Sequence, residues 1–149
     1  MEDGESFSAI DVPFVGVTAT EADGINSDGR IVGTDTDANG SHGFLEIGGM
    51  FSSIDAPFAG ILDTFATGIN DSGQIVGFYG AGNEIHGFRD LGGAFTSIDV
   101  ADPGTSDGDG INDLGQIVGA YGKGGQGDGF LAIPAEFRSR LRCCCSPLR

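Results

Sequence analysis

The residues whose types and spacing best suit chemistry are Asp35, Asp37, Asn39, Ser41 and Glu46. Asp35-Thr36-Asp37-Ala38-Asn39-Gly40, then five residues and Glu46, matches the calcium-loop pattern D-x-[DN]-x-[DN]-G-x5-E in full. Calcium takes about six to eight hard oxygens, and short acids alternating around a glycine turn can wrap them about one ion. Asp35, Asp37 and Asn39 would give side-chain oxygens, Ser41 a carbonyl and Glu46 a bidentate carboxylate, so calcium is the cofactor to expect. The flanks, Gly29 to Gly33 and Gly43 to Ile47, read as strands and not as the helices of an EF-hand. A strand would carry Glu46 away from Asp35, and a polar hairpin loop is the competing reading.

Other candidates are weaker. Asp102, Asp107, Asp109 and Asp113 form a second acidic cluster, which reads as a solvated loop or a weak cation site. His42 and His86 lack a third ligand nearby and suit hydrogen bonding between neighbouring sheets better than zinc. For catalysis there is no G-x-S-x-G elbow, no cysteine in the body and no phosphate loop before a helix. Acids are plentiful, but a glycan-active enzyme depends on a carboxylate separation that sequence does not supply. The expectation is a protein that is not an enzyme, with no catalytic residues to name.

The elements that must position these residues come from an internal repeat. Gly24-Ile25-Asn26-Ser27-Asp28-Gly29-Arg30-Ile31-Val32-Gly33 recurs from Gly68 to Gly77 and from Gly110 to Gly119, at spacings of 44 and 42. His42-Gly43-Phe44 recurs as His86-Gly87-Phe88 and as Asp128-Gly129-Phe130. Phe7-Ser8-Ala9-Ile10-Asp11 recurs from Phe51 and from Phe95. Three units follow, at about 7–50, 51–94 and 95–137, with a basic, cysteine-rich tail at 138–149 that reads as disordered.

In unit two the strands are Thr64 to Asn70, Gln74 to Tyr79, His86 to Leu91 and Phe95 to Val100, an antiparallel meander with Asp71-Ser72-Gly73 as its first turn. Residues present in every unit serve the fold: Asn26, Asn70 and Asn112 as turn-formers, and Asp11, Asp55 and Asp99 as strand-end carboxylates. The calcium-loop ligands are unit-specific, since Tyr79, Ala81 and Asn83 stand at the matched positions of unit two. Phe7 to Val12 reads as a spare outer strand, and the last unit, ending near Gly129 to Ile133, lacks one. Sharing a sheet between the two would remove exposed edges.

Composition narrows the partners. The formal charge is −15, and Met1 to Phe137 holds three basic residues (Arg30, Arg89, Lys123) against all 22 acids. So acidic a body argues against nucleic acid or an anionic membrane surface, and leaves cations, cationic ligands, glycans or a surface protein as partners. The 28 glycines fall at fixed offsets beside Ile, Val and Phe and so mark turns, not disorder. The cysteines, Cys143 to Cys145, all lie in the tail, and no apolar run is long enough to span a bilayer. The first residues do not read as an export signal.

The three motifs together, GINxxGQIVG, HGF and FxxIDVP in the same order in each unit, resemble the HAF family of bacterial extracellular repeat proteins from Phe7 to about Ile133. The resemblance implies an extracellular or cell-surface, β-propeller-like array, and no chemistry. The expected fold is all-β: three repeats of about 44 residues, each a four-stranded antiparallel meander. Propellers typically have about four to eight blades, so three units would be completed in a head-to-tail homodimer or belong to an open array. A threefold monomer of the β-trefoil or β-prism type is the alternative. The function to expect is a non-catalytic binding module that presents loops, calcium-stabilised if the loop is real, with self-assembly through sheet edges as the alternative.

Overall fold

A computed structural model describes residues 4–58, 60–100 and 105–136. It is all-β, with three antiparallel sheets. The first contains β1 (Ala19–Ile25), β2 (Ile31–Thr36), β3 (Ser41–Ile47) and β4 (Met50–Ile54) in that order. The second contains β5 (Ile61–Ile69), β6 (Gln74–Ala81), β7 (Glu84–Leu91) and β8 (Ala94–Ile98). In the third, β9 (Thr105–Ser106) and β10 (Gly110–Ile111) both pair with β11 (Ile117–Lys123), which pairs with β12 (Gln126–Ala132). Each sheet begins with the strand that leads into a GIN turn, so the sheets run out of phase with units counted from the phenylalanines. The tail beyond residue 136, the loop aspartate Asp102 and Phe137 lie outside the described residues.

The GIN turn closes identically three times. Asn26, Asn70 and Asn112 accept a bond from the glycine three residues on and bond the carbonyl four residues on through their own N–H. Gly29, Gly73 and Gly115 hold φ of 77°, 78° and 71°, the left-handed region that L side chains rarely adopt. The Ile-Val-Gly that follows has a different need. A Cβ on Gly33, Gly77 or Gly119 would lie 2.0, 1.9 or 1.9 Å from the carbonyl oxygen of Glu21, Phe65 or Asp107, and under 3 Å from the ring of Phe44, Phe88 or Phe130. Those rings come from the HGF motifs, so the two motifs are halves of one close contact.

Packing runs from sheet to sheet. Val32, Ile54, Ala66, Ile75, Tyr79 and Phe88 belong to one buried cluster. Gly24 stacks on β5, where its Cβ would lie 3.1 Å from Gly68 Cα, and Gly68 stacks in turn on Gly110. The first strand of the third sheet is broken because Gly108 donates its N–H across to Gly77 O, 3.3 Å away in the second sheet, and Thr67 Oγ1 donates to Gly108 O.

One sequence expectation fails. Phe7 to Val12 resembles β4 and β8 but forms no strand, and Phe7 is 90% exposed. A strand needs a ladder partner for its N–H and C=O groups. In the repeat that partner would be the third strand of a preceding unit, and β1 begins the first sheet with none before it. The sharing of a sheet between the two ends of the array is therefore absent within the described residues.

Candidate functional site

The five residues of the calcium pattern do not converge. Asp35 pairs with His42 across β2 and β3, whereas Glu46 pairs with Ile31. Glu46 is thus four residues along β3 from the Asp35 register, about 13 Å at strand rise. Its Oε1 accepts the Gly49 N–H at 2.5 Å and caps the β3–β4 turn. Asp37 Oδ1 accepts from the N–H groups of Asn39 (2.6 Å) and Gly40 (3.2 Å), and Asn39 Nδ2 donates to Asp37 Oδ2. The N–H of Ser41 donates to Asp63 Oδ1 at 2.8 Å. Among the described residues no three His, Cys, Asp or Glu side chains are grouped to hold a metal ion. With Glu46 far from Asp35 and the Asp37 carboxylate bonded to its own loop, a chelator is expected to leave the melting temperature unchanged; a drop on chelation would show that Asp35 and Asp37 do hold an ion.

What the structure assembles instead is a cleft of about 350 Å³ at one end of the first sheet, lined by Phe14, Val17, Asp35, Asp37, His42, Phe51, Ser52, Ser53 and Asp55. At its base Asp35 is 2% exposed, and its Oδ1 has no hydrogen-bond partner among the described residues. Burial first, then the neighbouring carboxylates of Asp55 and Asp37, push the Asp35 carboxyl above its ordinary pKa, while His42 pulls it down. A buried polar atom left unbonded costs about 1–3 kcal/mol, more when charged.

The second unit explains why this space exists. There Tyr79 occupies the position of Asp35, and its ring stacks on Phe58 at 4.9 Å and on His86 at 5.3 Å. Phe58 and Phe14 both stand 21 residues ahead, so the first unit keeps the two outer rings of the sandwich, Phe14 and His42, and replaces the middle one with a short carboxylate. The cleft is the room that Tyr79 fills in the neighbouring unit.

His42 is held firmly. Its Nδ1 lies 2.7 Å from Asp55 Oδ1, its Nε2 lies 3.6 Å from Asp37 Oδ1, and Ser53 Oγ donates to Asp55 Oδ2 at 2.6 Å. The second unit repeats the motif with His86, Asp99 and Ser97. A serine, an aspartate and a histidine are present, but the hydroxyl bonds the carboxylate and not the imidazole, so nothing activates it as a nucleophile. The bond to Asp55, then the charges of Asp37 and Asp35, raise the His42 pKa despite some desolvation. A raised histidine pKa adds stability that is complete below the unfolded value near 6.5 and is lost as pH rises through the folded value. The melting temperature of the wild type relative to His42→Asn should therefore fall as the pH rises above about 6.5. A constant difference would remove this linkage.

A larger groove, about 470 Å³, runs between the first two sheets along Arg30, Ile54, Gly73, Asp90 and Phe95. Its charged groups are occupied: Arg30 lies 3.8 Å from Asp28, and Asp90 accepts the N–H of Gly93. It offers no unbonded polar atom comparable to Asp35.

No family model and no curated protein matches the chain. The cleft must be read from its own chemistry. Sequence reasoning singled out Asp35, Asp37, His42 and Asp55 separately and missed Phe14. The available signal was the pairing of Phe14 with Phe58 and of Asp35 with Tyr79 at matched repeat positions.

Proposed function

We propose that this protein is a non-catalytic binding module, a propeller-like stack of β units, whose first unit takes a small ligand or side chain bearing a protonated amine on an apolar stem. The observation that carries the reading is Asp35, a buried carboxylate with an unbonded oxygen, at the base of a cleft walled by Phe14 and Phe51. A cation there gains a charge-assisted bond to Asp35, and the rings accept its stem and favour its charge. The acidity of the body as a whole would draw such a ligand in and raise its association rate. The HAF-like repeat pattern fits a module displayed outside the cell.

The testing pair is benzylamine and benzyl alcohol, which share a shape and differ in charge. Benzylamine should shift the backbone amide resonances of Asp35, Asp37 and His42, and benzyl alcohol should not. Equal responses to both, or none at these positions, would overturn the reading.

A further inference from the structure

We infer that the outer face of the third sheet is a docking site for the N-terminal segment and first strand of a second copy of this chain. The first two sheets show what such a face is for. Val32 and Val76, at matched positions, are fully buried, whereas Val118 is 49% exposed and lies beside Leu131, its exposed partner across β11 and β12. Gly68 is stacked between its own Val76 and Gly110, but among the described residues a Cβ on Gly110 would meet only Val118.

The turn tips tell the same story. Asn26 Nδ2 donates to Asn70 O and Asn70 Nδ2 to Asn112 O, while the N–H groups of Ser27 and Asp71 donate to the carboxylates of Asp71 and Asp113. Each unit thus clasps the next. Asn112 Nδ2 donates to its own Gln116 and to no further unit among the described residues.

Among the described residues the third sheet has no counterpart of the outer strand that β4 and β8 supply to the others. Nor does its own chain carry the turn the others use. The β3–β4 and β7–β8 turns use Gly48 and Gly49, Gly92 and Gly93, at φ of 59°, 91°, 60° and 93°. The matched residues are Pro134 and Ala135, and proline is fixed near −65°. The carboxylates of Glu46 and Asp90 that cap those turns are matched by Ala132.

Phe7 to Val12 is the strand that fits. It has the sequence pattern of β4 and β8, it has no ladder partner among the described residues, and it precedes β1 as β4 precedes β5. Ile10 already lines a pocket with Ala22 and Gly24, as Ile54 and Ala66 both lie against Gly43. The observed pairs Gly43 with Ile54 and Gly87 with Ile98 fix the register. Ile10 of the second copy falls opposite Gly129, Ala9 opposite Phe130 and Phe7 opposite Ala132. In that register its Asp11 meets Asp128, which stands where His42 and His86 bond Asp55 and Asp99. The junction is therefore weaker than the internal ones and reversible. Being head-to-tail, it closes into a two-copy ring or extends as a chain.

Sedimentation of the whole chain from micromolar to near-millimolar concentration tests this. The wild type should associate with concentration, and Ile10→Asp and Val118→Asp should each stay monomeric. A mixture of the two variants should form a one-to-one pair, because one intact junction remains between them. Asp128→His should tighten association about tenfold by restoring the imidazole partner. A wild type that stays monomeric overturns the proposal. So does association that Ile10→Asp leaves unchanged.

Discussion

Asp35→Tyr should both stabilise the protein and weaken benzylamine binding at least about tenfold. The substitution copies the second unit, where Tyr79 fills the same place between Phe58 and His86. It removes a buried carboxylate with an unbonded oxygen, worth about 1–3 kcal/mol, and adds aromatic contacts with Phe14 and His42 worth about 0.5–1.5 kcal/mol each. A net gain of about 2 kcal/mol corresponds to a melting temperature higher by about 4–8 °C for a chain of this size. Stabilisation that coincides with loss of binding marks a site held open at a cost to the fold. A destabilised Asp35→Tyr variant would show that the space is not the one Tyr79 occupies.

Asn70→Ala should produce the largest loss of stability among the three turn asparagines. Asn70 is buried, accepts the N–H of Gln74, and donates to Gln74 Oε1 and to Asn112 O in the next unit. Truncation leaves Asn112 O without this donor and the Gln74 N–H without its side-chain acceptor, at about 3 kcal/mol in all. Asn112 makes the equivalent bonds within its own turn but is exposed and clasps no further unit among the described residues. Asn112→Ala should therefore cost less than about 1 kcal/mol, and the difference between the two variants isolates the clasp. Equal losses at both positions, read from urea denaturation, would mean that the asparagines serve only their own turns.

This contrast shows what the sequence disclosed and what it concealed. Hairpin boundaries were legible because Asn-x-x-Gly and alternating apolar residues act over a few positions, and β5 to β8 lie within about three residues of where that local chemistry puts them. The clasp was not legible, since Asn26 and Asn70 are 44 residues apart and each already has a sufficient local role as a turn-former. The calcium motif counts residues along a loop between helices. A hairpin spends the same interval travelling up a strand, and so Glu46 ends beside Ile31. Phe7 to Val12 shows a further limit: strand-like composition specifies a strand only where another edge is offered.

The cleft needed both kinds of information. Asp35 and Tyr79 at matched positions were visible as a difference between units, but only the stacking of Tyr79 reveals that losing it opens a space beside Phe14. The repeat supplies its own control experiment, one unit filled and one empty on the same scaffold.

The most direct test of that account is an amide-resolved titration of the wild type and Asp35→Tyr with benzylamine. Saturable shifts centred on Asp35, Asp37, His42 and Asp55 in the wild type, weakened at least about tenfold in the variant, are the predicted result. Shifts of equal size in both proteins, or shifts spread over the acidic surface with none at the cleft, would contradict it.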